Sequence, residues 1–571
     1  MIIIFLLYIM KYDYYKVKDL DSMNVNLLNC SKIQCYNPLL EKIFQINENN
    51  YNKVILKSKF VIKRFISKQS YNFLRCSVES ESDTKDCDVF IKYAALFDPV
   101  KYGMDKIDKL ESGIENLPTF NDSDSISHNY IKDYNNTSYI DGMFTFLTSK
   151  LLNSFDFIHG IQYYGSFLGL KEDFKYNMYE ELETILESKE FLNNCDKKFT
   201  VDASFNALVM SCESDNKKKP LVIDCVDCSD VSIDNLDLDV ELSKSSDKKS
   251  VSLNEYVLES LDEDFKLNKS LDSQSISSAS SDTTREEGDG DSDNETKSVS
   301  NREDDDEYED DDDDEDDDED DDEDDDDVPE INMYIKNFPV NIVVMEPLSH
   351  TLDELMSSDD MDMEVWSSML MQIIFILITY QDIFQFTHND LHTSNIMYKP
   401  TEKEFIYYCY DGIYYKVPTF GKIWKIIDFG RSIYTVNSTT FFSNSFSKDG
   451  DAHSQYNVEP YFNPDSSIVT PNYSFDLCRL ACSLFDYFFD SIDDVNDPEN
   501  DEIQNLVKEW CMDYKGRNVL YKSDGEERYP DFKLYKMIAR DVKDHTPHNQ
   551  LKRDIFSEFR VSSKKAKTKK Y

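Results

Sequence analysis

The spacing of apolar residues changes period several times along this chain, and each change predicts an element. Val89-Phe90-Ile91-Lys92 alternates as a strand does and ends on a lysine. Residues 139–151 then carry Ile140, Met143, Phe144, Leu147 and Leu151 at helical spacing, with Asp141 near the start of that amphipathic helix. Residues 163–169 and 342–345 read as buried strands, the second running into Glu346-Pro347-Leu348, and Thr351-Leu352-Asp353-Glu354-Leu355 opens a helix. Between 365 and 384 apolar residues (Val365, Trp366, Met369, Leu370, Ile373, Ile374, Leu377) occupy nearly every face, as in a helix enclosed by a domain. Gln372 interrupts that run, which is short for a bilayer crossing. Ile396-Met397 and Ile426-Ile427 predict two short buried strands. Residues 405–417 predict a hairpin, because Asp411-Gly412 lies between two runs of β-formers. Residues 474–485 read as a buried helix with Asp476 near its start.

Two polar motifs flank the short strands. His388-Asn389-Asp390-Leu391-His392-Thr393-Ser394-Asn395 precedes the first, and Asp428-Phe429-Gly430 follows the second. Phosphoryl transfer from a nucleotide asks for a carboxylate beside the attacking hydroxyl, and for an Asn and an Asp that hold magnesium against the phosphates. Asp390, Asn395 and Asp428 are those groups in that order, the first two at the catalytic-loop spacing. The plain alternative is a buried helix followed by a loop of coincidental composition.

With strands and helices predicted around both motifs, the chain resembles the protein kinases. The resemblance implies an α+β, bilobal fold with a small β-rich lobe and a mainly helical large one. It implies ATP and Mg2+ as cofactors, Asn395 and Asp428 as metal ligands, and Asp390 as the group that orients the acceptor and takes its proton. Lys92 would reach the nucleotide phosphates; the plain alternative is a solvated strand-end lysine. Asp141 stands where kinases place a Glu that pairs with that lysine. Being one methylene shorter, it implies a longer or water-mediated pair, or simply an acid complementing the helix dipole. Residues 342–348, with Glu346, match the hinge whose backbone binds adenine, and Asp476 matches the acid that holds the catalytic loop by its backbone amides.

Departures from the family narrow the resemblance. Residues 65–76 lie where a Gly-rich phosphate loop belongs, yet contain no glycine, so close backbone approach to phosphates is costly. Asn389 replaces the Arg that commonly holds a phosphorylated activation segment, so no such switch is expected. His392 stands where many kinases place a phosphate-contacting Lys, and the Asp-Leu-His variant is similar to the haspin-like group. Val458-Glu459-Pro460 is the nearest echo of the motif that closes the activation segment. The hairpin at 405–417, the tract 450–457 and the ending 528–536 resemble the divergent kinase-like proteins of giant, large-DNA viruses. That likeness spans roughly 50–210 and 330–550 and is firmest in the second block.

Composition changes the picture mainly in the middle of the chain. Of 571 residues, 113 are Asp or Glu and 61 Lys or Arg, a formal net charge of −52. Between 303 and 327 every residue except Tyr308 is acidic, a self-repelling run that cannot form a core. The expected organisation is an extension (1–50), a kinase-like small lobe (51–210), a disordered acidic and Ser-rich insert (211–330), a last strand and hinge (331–348), a large lobe (349–555) and a basic tail (556–571). The run at 303–327 reads as a solvated spacer or as a site for basic, histone-like proteins. Thr283 and Ser292, each with Glu three positions on, look like sites for acid-directed kinases. Residues 221–226 read as a strand within the insert, and Lys564–Lys570 as a nuclear address, a nucleic-acid contact, a partner for the acidic loop or a soluble end.

The apolar residues 1–10 lack a signal peptide's basic start and cleavage site, and read as a buried first strand or an overcalled start. Twelve cysteines show no framework spacing, and Cys225 and Cys228 have no second pair to complete a zinc site. No membrane or direct nucleic-acid contact is expected. The setting implied is the interior of an infected host cell (cytoplasm, virus factory or nucleus), without secretion. Two main readings follow, an atypical Ser/Thr-type kinase acting on an unidentified protein or an inactive pseudokinase scaffold working through its insert, with a small-molecule kinase on the same fold as a third.

Overall fold

Strand-forming sequence dominates up to Met345 and helix-forming sequence after it, and the fold divides accordingly. The computed structural model describes residues 13–107, 114–120, 128–215, 330–358, 361–448, 450–461, 469–530 and 532–562. The apolar start (1–10), the strand at 221–226, Cys225 and Cys228, Thr283, Ser292, the acidic run at 303–327 and the lysine tail at 564–570 lie outside the described residues.

The N-terminal part is built on strands β1 (Tyr14–Lys16), β2 (Cys30–Gln34), β3 (Val54–Leu56), β4 (Val61–Lys68), β5 (Phe73–Glu79), β6 (Thr84–Ala95), β7 (Tyr163–Asn177), β8 (Phe199–Val201) and β9 (Asn332–Met345). Seven of them form one antiparallel sheet in the order β2-β7-β9-β6-β5-β4, with β8 also on β9. β9 is thus central, pairing with both β6 and β7, although it follows them by a long stretch of chain. Its residues Val340, Ile342, Val343 and Val344 are fully buried, as expected of a strand covered on both faces. Helix α1 (Thr137–Phe155) packs on β7 and β9.

The C-terminal part contains α2 (Leu352–Ser358), α3 (Met363–Phe384), α4 (Phe475–Phe488), α5 (Glu502–Trp510) and α6 (Lys533–Asp541). α3 is long and apolar enough to cross a membrane by length and composition, but its residues pack inside the protein, with 72% of the apolar stretch buried. Strands β10 (Ile396–Pro400) and β13 (Lys422–Ile426) pair antiparallel, Ile396 opposite Ile426. Between them β11 (Phe405–Tyr410) and β12 (Ile413–Pro418) form the hairpin expected from Asp411-Gly412. Both turn residues have positive φ, 48° and 78°, which suits the twist of a two-residue hairpin. Tyr408 on this hairpin stacks on Phe375 of α3, centroids 4.0 Å apart. A second hairpin joins β14 (Ile433–Val436) to β15 (Thr439–Phe442), and β16 (Arg560–Val561) pairs with β12.

Two elements exceed their sequence-based limits. The strands expected at 163–169 and 342–345 are β7 and β9, and each extends well beyond, since Lys171, which breaks the apolar pattern, is buried. It donates to Leu28 O at 3.0 Å and lies over the rings of Tyr71 and Tyr93. The region expected to be a phosphate loop, 65–76, is mostly β4 and β5, and only residues 69–72 form the turn.

Candidate active site

The pairing of β10 with β13 brings the two polar motifs together. Asn395 leads into one strand, Asp428 lies two residues past the end of the other, and Ile427 N donates to Asn395 O at 3.0 Å across the junction. α4 anchors the loop: both oxygens of the buried Asp476 accept, from His388 N and Asn389 N, each at 2.9 Å. These bonds match the placement expected of Asp476. Asn389 adopts φ 65°, a left-handed conformation that Asn tolerates better than most residues. Its amide donates to Arg431 O at 3.0 Å and its carbonyl accepts the Tyr456 hydroxyl, a neutral tie between loop and following segment.

Lys92 lies at the meeting point of three elements. Its ammonium, on β6, is 2.9 Å from Asp141 on α1 and 3.1 Å from Asp428. The Lys92–Asp141 pair is therefore direct, where a longer or water-mediated contact was expected. Asp141 also accepts Phe429 N at 2.8 Å, so the short acid bridges lysine and motif. Burial works against the charge on Lys92, but the Asp141 and Asp428 carboxylates outweigh it and hold the ammonium above the usual lysine range. Asp428 is held at φ 58° with about half of its side chain exposed, 51%. Burial of its ionising atoms opposes ionisation, and Lys92 overcomes this and lowers its carboxyl below the usual range.

Asn395 spends both amide hydrogens inside the loop, on Asp390 O and His392 Nε2, each at 2.9 Å. Its carbonyl oxygen is thereby turned away from those partners, as a metal ligand would need. His392, where a phosphate contact is expected, accepts an amide hydrogen at Nε2, and burial pushes its pKa down to about 4. As placed, it is a neutral brace for Asn395.

Asp390 is held at both carboxylate oxygens. Oδ1 accepts the Tyr535 hydroxyl from α6 at 2.7 Å, and Oδ2 lies 3.2 Å from Arg431. Burial would raise its pKa, but the Arg431 and Arg479 guanidiniums, with the Tyr535 hydrogen bond, hold it well below the usual carboxylate range.

The Glu346 side chain is engaged within the protein. Its carboxylate is buried and paired with Lys399 and, at 3.1 Å, with Lys425, and accepts Gln162 N at 2.9 Å. Lys425 also donates to the Ile158 and Gly160 carbonyls. The Glu346 side chain is a junction between the two parts of the molecule, so a nucleotide at this hinge would meet backbone, not this carboxylate.

The turn at 69–72 is built without glycine and without positive φ. Tyr71 pins it to the sheet: its hydroxyl donates to Asp173 O at 3.1 Å and accepts Lys175 N at 3.0 Å. Asn72 exchanges hydrogen bonds with Ile91, one of them between backbones.

No group of three or more His, Cys, Asp or Glu side chains among the described residues forms a metal site by itself. Asn395 and Asp428 offer oxygen donors only, a set that suits magnesium when substrate phosphates complete its shell. Sequence reasoning brought Lys92, Asp141, Asp390, Asn395 and Asp428 forward, and the fold places them around one junction. It missed Arg431, Tyr535, Gly142 and Lys425. Of these only Arg431 had a signal, its position directly after the Asp-Phe-Gly motif.

No family model matches the chain. Over 197 residues it is 25% identical to a protein of Acanthamoeba polyphaga mimivirus described as "Putative serine/threonine-protein kinase R301". That alignment covers 33% of this chain and 46% of the mimivirus protein, so the two share less than half of that relative's length. The likeness supports a distant relationship to the protein-kinase superfamily, at the level of the superfamily alone.

Proposed function

We propose that this chain is an ATP-dependent protein kinase that transfers the γ-phosphoryl group to a protein hydroxyl, Ser or Thr in the first instance. The observation that carries the reading is the convergence of Lys92, Asp428, Asn395 and Asp390, from three separate stretches of sequence, on one hydrogen-bonded junction. In this reading the N-terminal part is the small lobe, the C-terminal part the large one, and Glu346-Pro347-Leu348 the hinge. Lys92 fixes nucleotide phosphates, and Asp390 orients the acceptor hydroxyl and receives its proton. Asn395 and Asp428 hold magnesium, which when bound offsets phosphate charge. Asp141 keeps Lys92 in place, and His392 keeps Asn395 turned.

The test has two steps. Mg-ATP at millimolar concentration is expected to raise the melting temperature of the wild type and not of Asp428→Ala. Radiolabel transfer from ATP to mixed histones or casein is expected in the wild type and lost in Asp390→Ala. Absence of any melting shift in the wild type removes the catalytic reading.

One observation favours the second reading, a pseudokinase scaffold. The turn at 69–72 is tied to β6 and β7 by Asn72 and Tyr71, so its backbone is not free to fold over phosphates as a Gly-rich loop does. In that reading the acidic run at 303–327 is the working surface, toward basic proteins. Binding of histones lost on deleting 303–327, without ATP-dependent labelling, is its expected signature.

A further inference from the structure

Arg431 has no role in the reading above, yet its surroundings are specific. Its guanidinium lies between two carboxylates, 3.2 Å from Asp390 Oδ2 and 2.9 Å from Asp451 Oδ2. It also sits over the rings of Phe532 and Tyr535, 5.7 Å from each centroid. Tyr535 completes the enclosure of Asp390. Its oxygen accepts Arg479 Nε–H at 3.0 Å, which leaves its own proton for Asp390 Oδ1 at 2.7 Å. Both carboxylate oxygens are fixed, and each keeps a lone pair for another donor. α4 supplies both supports: Asp476 holds the loop backbone, and Arg479, three residues on, braces Tyr535.

The cation matters because of what the loop lacks. Many kinases carry a lysine two positions after the catalytic Asp, and here that position is His392. Its Nε2 is engaged as the acceptor of an Asn395 amide hydrogen, so it brings no cation to the reacting centre. Lys92 is committed to Asp141 and Asp428. Arg431, by contrast, remains charged at any working pH and already touches Asp390.

We propose that Arg431, braced by Tyr535, is the positioning residue that fixes the Asp390 carboxylate toward the acceptor and supplies there the positive charge that His392 does not. The inference rests on the kinase reading. In the step concerned, the acceptor oxygen bonds the γ-phosphorus while that phosphorus loses its bond to the β,γ-bridging oxygen. The nucleoside diphosphate, ADP, leaves with that electron pair on its β-phosphate oxygen, and the acceptor's proton passes to Asp390. Arg431 offsets negative charge beside this exchange without itself gaining or losing a proton.

The experiment compares full-length wild type, Asp390→Ala, Arg431→Met, Arg431→Lys and Tyr535→Phe by radiolabel transfer from ATP to casein and mixed histones. Mg-ATP melting shifts are measured in parallel. Turnover is expected to fall by roughly two orders of magnitude in Arg431→Met, the scale of losing one charge-stabilising group, with KM for ATP within about threefold. Arg431→Lys is expected to recover about tenfold of that loss, and Tyr535→Phe to lose about tenfold. A residue serving only the fold would lose the melting shift and turnover together, with no recovery in Arg431→Lys; that result overturns the proposal. So does Arg431→Met keeping half or more of wild-type turnover while Asp390→Ala is inactive, which leaves the kinase reading standing. Wild type without transfer removes the reading and the proposal with it. Should Arg431→Met not fold, Arg431→Lys and Tyr535→Phe decide: wild-type turnover in both overturns the proposal, and a graded loss at constant KM supports it.

Discussion

Asp141 reaches Lys92 because of its neighbour. A Cβ at Gly142 would stand 2.9 Å from Asn341 Nδ2 and 3.3 Å from Val343 Cγ2, both on β9, so the missing side chain lets α1 settle unusually close to the sheet. Asn341 is not free to retreat, since that amide donates to Ser138 O at 2.7 Å. The close approach makes up for the methylene that Asp lacks relative to Glu. Gly142→Ala is therefore expected to push α1 outward and lengthen the Lys92–Asp141 pair. The loss is about 1–3 kcal/mol of stability, and, with Lys92 in the nucleotide-binding role proposed above, Mg-ATP affinity read by calorimetry falls roughly tenfold for a pair worth about 1.4 kcal/mol. Unchanged affinity at reduced stability would separate the glycine from the lysine pair. At this scale the sequence is informative about groups whose chemistry is local. Asp390, Asn395 and Asp428 announce themselves by type and spacing. Gly142 and Tyr535 do not, because their meaning depends on atoms of β9 and of a loop some 145 positions away.

α1 is held inward along its whole length. Asn444, from the segment after the Asp-Phe-Gly motif, accepts Thr137 N at 3.2 Å, and Ser443 meets the Thr137 hydroxyl at 2.8 Å. In its middle Phe144 stacks on Phe386 at 4.3 Å and packs on Phe429 and Tyr434. Beyond its end, buried His159 bonds Trp424 O and the Tyr408 hydroxyl, each at 2.7 Å, while Lys425 holds the carbonyls on either side. Lys425→Met strands the buried Glu346 carboxylate with Lys399 as its remaining cation, and a cost of about 3 kcal/mol is expected in urea unfolding. His159 gives a pH signature. Burial pushes its pKa down to about 3, whereas the unfolded chain takes up that proton near pH 6.5. The unfolded state thus binds more protons between those values, and stability present above pH 6.5 is lost as pH falls. Between pH 6.5 and 5 the wild type is expected to lose up to about 1.4 kcal/mol per unit more than His159→Gln. Parallel curves for the two proteins would sink this account. The sequence hinted at α1 through its apolar face and at the hairpin through Asp411-Gly412. That hairpin's contact with His159 was invisible, being made across 249 positions.

At the scale of the molecule, a strand-rich part is followed by a helix-rich part, and a long insertion interrupts the first between β8 and β9, which pair with each other. Val201 on β8 is opposite Met333 on β9, and Asp202 N donates to Asn332 O at 3.1 Å. Replacing 216–329 with a flexible linker of about twelve Gly and Ser residues is therefore expected to shift Tm by less than about 2 °C, since loop length enters closure entropy only logarithmically. A fall of about ten degrees by calorimetry would show that the insertion stabilises the rest. The division into two parts was legible from the change in hydrophobic period near Met345. The reach of β7 and β9 was not, because the charged stretch around Lys171 conceals a strand whose lysine is buried on two aromatic rings. The central position of β9 has a consequence for biosynthesis. β6 and β7 are both translated before the strand that joins them, and roughly 150 residues, on the order of ten seconds or more of elongation, separate Asn177 from Asn332. Throughout that interval each presents an open edge to its neighbours on the polysome.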